Sequence, residues 1–189
     1  AVRPIVRSST VVPWISLCTV SLLAACETPS QTWEPVRFVA LGDTGEGNLE
    51  QYAVANAMKS VCEDRGCDFA LLLGDNIYNT GVTGVDDIQW QDKFELPYAD
   101  LDFPFYAVPG NHDFGQLLPD EEKADFQVSY TQQSDKWVMP DRFYDHSHQN
   151  VDFLGLNTHA MYFSSTLEGQ PHDQEQWLDG LHYIRGLEN

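Results

Sequence analysis

Three short apolar runs punctuate the chain, and each ends at a glycine followed by Asp or Asn. Val36-Arg37-Phe38-Val39-Ala40-Leu41 leads into Gly42-Asp43-Thr44-Gly45, and the run from Asp68 to Leu73 leads into Gly74-Asp75-Asn76-Ile77-Tyr78. Phe105-Tyr106-Ala107-Val108 is followed by Gly110-Asn111-His112-Asp113. Such runs, apolar without alternation, predict strands covered on both faces, and helical stretches between them predict parallel pairing. One helix is predicted from about Leu49 to Val61, with Asn48 and Gln51 at N-cap and N3 spacing and Val54, Met58 and Val61 on one face. A second is predicted from Asp86 to Glu95. Further on, Arg142 to Asp145 and Val151 to Leu156 read as a hairpin turning at His146 to Asn150. Pro171 then opens a last helix, with Trp177, Leu178, Leu181 and Ile184 on its apolar face. The expected fold class is α/β with mostly parallel strands. In such sheets ligands bind beyond the carboxyl ends of the strands, where all three Gly-Asp/Asn turns fall.

Composition alters this picture mainly at the N-terminus. Arg3 and Arg7 are the only charged residues before Glu27, Val11 to Ala25 is mostly apolar, and Leu23-Ala24-Ala25-Cys26 has the form of a bacterial lipobox. Residues 1–25 are therefore expected to be a lipoprotein signal peptide, Cys26 the lipidation site, and residues 26–35 a polar tether. An ordinary secretory signal is the alternative. Both export the protein to a bacterial periplasm or cell envelope, and Glu27 after Cys26 leans toward outer-membrane anchoring. Membrane contact is expected only through this lipid.

Formal net charge is −19, although all the residues up to Cys26 are neutral or basic, so the acidity belongs to the part after Ala25, which holds the expected domain from 36 to 189. That field repels nucleic acid and anionic lipid. It also disfavours anionic substrates, so a phosphate ester binding here needs local positive charge, for which bound cations are the obvious source. Cys62 and Cys67 flank Glu63-Asp64-Arg65-Gly66 and are candidates for a short disulfide compatible with export, with two unpaired thiols as the alternative.

The turns after the strands supply hard oxygen donors. Asp43 and Asp75 are carboxylates, Asn111 offers an amide oxygen, and Tyr78 offers a phenol that a trivalent ion would be needed to ionise near neutral pH. Two ions about 3.5–4 Å apart can clamp a phosphate and activate a water. No calcium-type D-x-[DN]-x-[DN]-G loop is present in the sequence. His146-Ser147-His148 has H-x-H spacing but is read as a solvated turn, and His159, His172 and His182 as ordinary loop or helix residues.

G-D-T-G (42–45), G-D-N-I-Y (74–78) and G-N-H-D (110–113), in this order, resemble the first three metal motifs of the calcineurin-like metallophosphoesterases. Gly45 stands where most of that family has a His, and Tyr78 is gained. That exchange resembles the purple (tartrate-resistant-type) acid phosphatase branch and speaks against a phosphodiesterase or nucleotidase. Asn79-Thr80-Gly81-Val82 and Phe94-Glu95 also resemble its small, single-domain type. The resemblance implies the N-terminal half of a four-layer α/β/β/α sandwich and a dinuclear centre of Fe(III) with Fe(II), Zn(II) or Mn(II). It implies that Asp43 and Tyr78 bind the trivalent ion, Asp75 bridges, and Asn111 binds the divalent ion. His112 would touch the phosphate or protonate the leaving group, with Asp113 holding its orientation. The implied activity is phosphomonoester hydrolysis by a monomer acting on a small phosphate ester. Three further His ligands are expected from two later loops not found before Asn189. The chain is accordingly expected to be a fragment, inactive as it stands. A non-catalytic, acidic exported lipoprotein that keeps the fold as a binding module is the alternative.

Overall fold

The computed structural model describes residues 34–116, 120–159, 174, 176–179 and 181. The expected signal peptide, Cys26, most of the tether, Pro171, His172, His182 and Ile184 lie outside these residues. Strands β1 (Phe38–Leu41), β2 (Phe69–Leu72), β3 (Phe105–Ala107) and β4 (Trp137–Val138) form one sheet in the order β1-β2-β3-β4, and every pairing is parallel. Helix α1 (Leu49–Arg65) connects β1 to β2, and α2 (Glu121–Tyr130) precedes β4. Strands β5 (Tyr144–His148) and β6 (Val151–Gly155) make a separate antiparallel hairpin.

Side chains alternate across the sheet as the strand period requires. Ala70, Leu72, Phe105 and Ala107 join Ala55 and Met58 of α1, together with Trp90, Phe94, Tyr98 and Trp137, in one buried cluster. On the opposite face Phe69 and Tyr106 meet the hairpin. Phe69 packs edge-on to Phe153 at 5.1 Å, and Tyr106 stacks on His146 at 3.7 Å. Aromatic rings thus hold both faces, and truncating one such as Trp137 to Ala would cost about 3–5 kcal/mol.

Strands β2 and β3 and the hairpin follow the apolar pattern, but β1 is not covered on both faces: it is an edge strand whose residues are exposed or half-buried, with Phe38 44% exposed. Several further local expectations are corrected. Helix α1 runs four residues beyond Val61, and Gly66 closes it by donating its N–H to Cys62 O at 2.8 Å. Its buried face is Gln51, Ala55 and Met58, whereas Val54 and Val61 are each 47% exposed. Gln51 displaces the valines from the core because its amide has partners there: it accepts from Gly47 N at 2.6 Å and donates to Lys93 O at 2.7 Å. The second helix does not begin at Asp86. Asp87 accepts the N–H groups of Thr83 (2.8 Å) and Gln89 (3.0 Å), holding a turn, and a single π-type turn follows at Gln91–Glu95.

His146-Ser147-His148 is not a solvated turn. These residues form the end of β5, the turn proper being Gln149-Asn150, and the His146 ring lies parallel to both Tyr106 and Phe153. Helix α2 and the two-residue β4 had no counterpart in the sequence reading. Cys62 and Cys67 are joined by a disulfide that ties the last turn of α1 to the residues entering β2.

Candidate active site

The carboxyl ends of β1, β2 and β3 lie side by side, and their loops are bonded to one another. Asp43 N donates to Gly74 O at 3.1 Å and Thr44 N to Asp75 O at 3.2 Å, joining the first loop to the second. His112 N donates to Asp75 Oδ1 at 2.9 Å, joining the second to the third. Asp43 and Asp75 both take the left-handed backbone conformation, at φ 55° and 51°, which costs a non-glycine residue roughly 1–3 kcal/mol. The crossing hydrogen bonds offset that cost. Gly110 is required by contact: a Cβ there would lie 2.2 Å from Asp75 N and 2.3 Å from Asp75 Oδ1.

Asp43, Asp75 and Asn111 line one cavity of about 470 Å³, together with Gln116, Thr158 and His159. No Lys or Arg is among its described lining residues. Tyr78 reaches the carboxylates without lining the cavity itself. Its hydroxyl donates to Asp43 Oδ1 at 2.7 Å and also lies 3.1 Å from Asp75 Oδ2, though its one proton serves only one acceptor at a time. Burial first, and then these carboxylates, push the phenol well above its ordinary range. A cation among these oxygens would reverse that balance.

His112 stacks against Tyr78 with ring centroids 4.4 Å apart, and it is absent from the cavity lining. Its Nδ1 is 2.6 Å from the Asn79 carbonyl oxygen. A carbonyl only accepts, so Nδ1 carries the proton and Nε2 is the second site for proton exchange.

Asp113 does not orient His112; this expectation is corrected. It is fully buried, and its carboxylate accepts from five N–H groups: Asn76 N, Ile77 N, Gly110 N, Asn76 Nδ2 and Gln127 Nε2, all within 2.8–3.1 Å. Asp113 therefore pins the loop after β2 to the loop after β3. Burial raises its carboxyl to about 6 against those five donors.

Gly45 has a steric role as well. A Cβ there would lie 1.8 Å from Asn76 O, so this backbone excludes any side chain at the position, the His expected of the wider family included. His159, read from sequence as an ordinary residue, is buried and lines the cavity. No motif marks it, because its place depends on the end of β6 arriving beside the first three loops.

The description Calcineurin-like phosphoesterase matches residues 36–185. The chain belongs to that family. Members similar to it include tartrate-resistant acid phosphatase type 5 from Rattus norvegicus, 33% identical over 133 residues, covering 65% of this chain and 38% of that protein. Purple acid phosphatase 3 from Arabidopsis thaliana is 39% identical over 89 residues, covering 46% and 24%. Among solved structures, the chain is similar to "GAP50 the anchor in the inner membrane complex of Plasmodium", with TM-score 0.60, 26% identity, and coverage of 76% of this chain and 48% of that one. This calcineurin-like phosphoesterase thus spans less than half the length of these relatives, which include members of the purple acid phosphatase branch.

The donor set fits the dinuclear metal centre that the family implies. Two carboxylates and a phenol converge at hydrogen-bond distance, and a carboxamide lines the same cavity, all of them hard oxygen donors. The described residues supply only part of a full set: among them, no three of His, Cys, Asp and Glu gather at ion-binding spacing.

Proposed function

We propose that the protein is an exported phosphatase hydrolysing phosphomonoesters, and that this chain carries its first three metal motifs. The observation that supports this most is the oxygen triangle of Asp43, Tyr78 and Asp75, with the phenol 2.7 and 3.1 Å from the two carboxylates. Asp43 and Tyr78 would hold Fe(III), Asp75 would lie between the ions, and Asn111 would hold Fe(II), Zn(II) or Mn(II). When bound, the pair supplies positive charge for the phosphoryl group and acidifies a water. In a chain of formal charge −19 that local charge is what admits an anionic ester.

The protein's own groups do the rest. Asp113 fixes the second and third loops so that Asp75 and Asn111 keep their separation. His112, its Nδ1–H held by Asn79 O, presents Nε2, and as an imidazolium it would give the Nε2 proton to the leaving alkoxide and become neutral. Cys26 anchors the protein to the envelope through attached acyl chains, each contributing about 0.8 kcal/mol per buried CH₂. Among the described residues no helix is long and apolar enough to cross a membrane.

The assay is p-nitrophenyl phosphate hydrolysis at mildly acidic pH with iron and zinc or manganese supplied, on this chain and on a version extended through its downstream coding sequence. In the extended version, metal-dependent turnover lost in Asp75→Ala is expected, as is a visible tyrosinate-to-iron absorption abolished in Tyr78→Phe. A colourless protein whose turnover ignores both substitutions would remove it from this role. Palmitate labelling lost in Cys26→Ser tests the anchor.

A second reading, an exported lipoprotein using the fold as a binding module, is favoured by the structural likeness to a protein described as an anchor. Absence of turnover and of metal uptake in the purified protein would select it.

A further inference from the structure

One imidazole reaches the cavity although no motif marks it. His159 is 8% exposed and lines the cavity beside Asp43, Asp75 and Asn111. Two contacts build it in. Its ring stacks on Phe114 with centroids 4.4 Å apart and planes 13° apart, and Phe114 ends the short turn that starts at His112. Just upstream, the buried Asn157 donates its backbone N–H to Oε1 of the buried Gln174 at 2.8 Å, tying the segment after β6 to a residue of the next helix. A surface loop histidine has neither kind of support.

No three of His, Cys, Asp and Glu gather at ion-binding spacing among the described residues, so His159 is not grouped with Asp43 and Asp75 around one ion. A polar group on the wall of the same cavity meets the molecule that fills the cavity. No Lys or Arg is among the described lining residues, so phosphoryl oxygens turned away from bound cations would need neutral donors.

We propose that His159 is a substrate-contact residue whose imidazole N–H donates to a non-bridging phosphoryl oxygen. A ring N–H is present in either protonation state, so the contact survives neutral and acidic conditions. The proposal rests on the phosphoester reading above.

His159→Phe keeps an aromatic ring against Phe114 and removes both nitrogens. The probe is inorganic phosphate, its Kd measured by calorimetry on metal-loaded wild-type and variant protein, with bound metal and Tm recorded beside it. The expected result is unchanged metal content and Tm, with phosphate binding weakened roughly tenfold to hundredfold. Unchanged phosphate affinity in a folded, metal-loaded variant overturns the proposal, and so does loss of bound metal, which would make His159 a ligand. If the variant does not fold, the ¹⁵N shifts of the His159 ring during phosphate titration of the wild type decide. Movement supports the contact, and constancy overturns it. A metal-loaded wild type that neither binds phosphate nor hydrolyses the ester overturns the parent reading and this one with it; wild-type turnover with unaltered variant affinity overturns this one alone.

Discussion

The Asp113 carboxylate accepts the backbone N–H of Asn76 on both oxygens, at 3.0 Å each. It receives four further N–H groups from Ile77, Gly110, Gln127 and the Asn76 side chain. Asp113→Ala strands the Asn76, Ile77 and Gly110 backbone N–H groups and the Gln127 amide, while the Asn76 side chain keeps Val108 O, and is expected to cost about 3–5 kcal/mol in urea unfolding. Asp113→Asn tests the charge. The folded carboxyl titrates near 6, above its ordinary 3.8, so the folded state holds a proton that the unfolded chain has released. Stability from this group is full below about pH 4 and falls as pH rises toward 6. The Asn variant should lose that slope.

Gly110→Ala probes the closeness of the second and third loops. The added methyl would meet Asp75 N and Oδ1 at 2.2 and 2.3 Å, so Asp75 must move. Displacement of a positioned group by an ångström is expected to lower turnover on the order of a hundredfold. Metal content measured in the same preparation should fall as well.

Asp87 sets an acid limit outside the cavity. Burial alone would raise its carboxyl, but hydrogen bonds from the N–H groups and side chains of Thr83 and Gln89 bring it down to about 2. A depressed carboxyl contributes stability that is present above about pH 4 and is lost as pH falls toward 2. Asp87→Ala is expected to cost about 1 kcal/mol at neutral pH. Its denaturant midpoint should also be flatter than wild type between pH 4 and 2.

The Cys62–Cys67 disulfide closes a loop with a sequence separation of 5. The chain-entropy relation gives about 2 kcal/mol for so short a loop. Replacing both cysteines by serine should lower Tm by a few degrees, and added reductant should then change nothing further. The wild type should show the same drop only when reductant is present.

The three strands and their loops were legible because apolar runs ending in Gly-Asp or Gly-Asn carry their own punctuation. What escaped has one physical cause in several places: polar side chains buried because their partners come from afar. Gln51 and Gln127 occupy the inner faces of α1 and α2, where hydropathy expects valine or leucine. Gln127 is justified only by Asp113 and by Asn76, which lies fifty-one residues away. Asp113 itself looks like a partner for the adjacent His112 until the fold turns it inward. His146 failed in the opposite direction, a polar residue used for its flat ring between Tyr106 and Phe153. Strand β4 has only two residues, too few for any period to show.

The bonds that tie the three site loops together, Asp43 N to Gly74 O, Asn76 N and Ile77 N to Asp113, and His112 N to Asp75, are made by backbone amides. Those amide hydrogens can exchange with solvent only when neighbouring loops part, and the loops are carried on adjacent strands of one parallel sheet. Their exchange should therefore be as slow as that of β2 itself, with the ordinary surface turn at Gln149-Asn150 exchanging far sooner. A cleft of this kind is already stiff before any ligand arrives. The ordering of its backbone belongs to folding, so little entropy remains to be lost on binding.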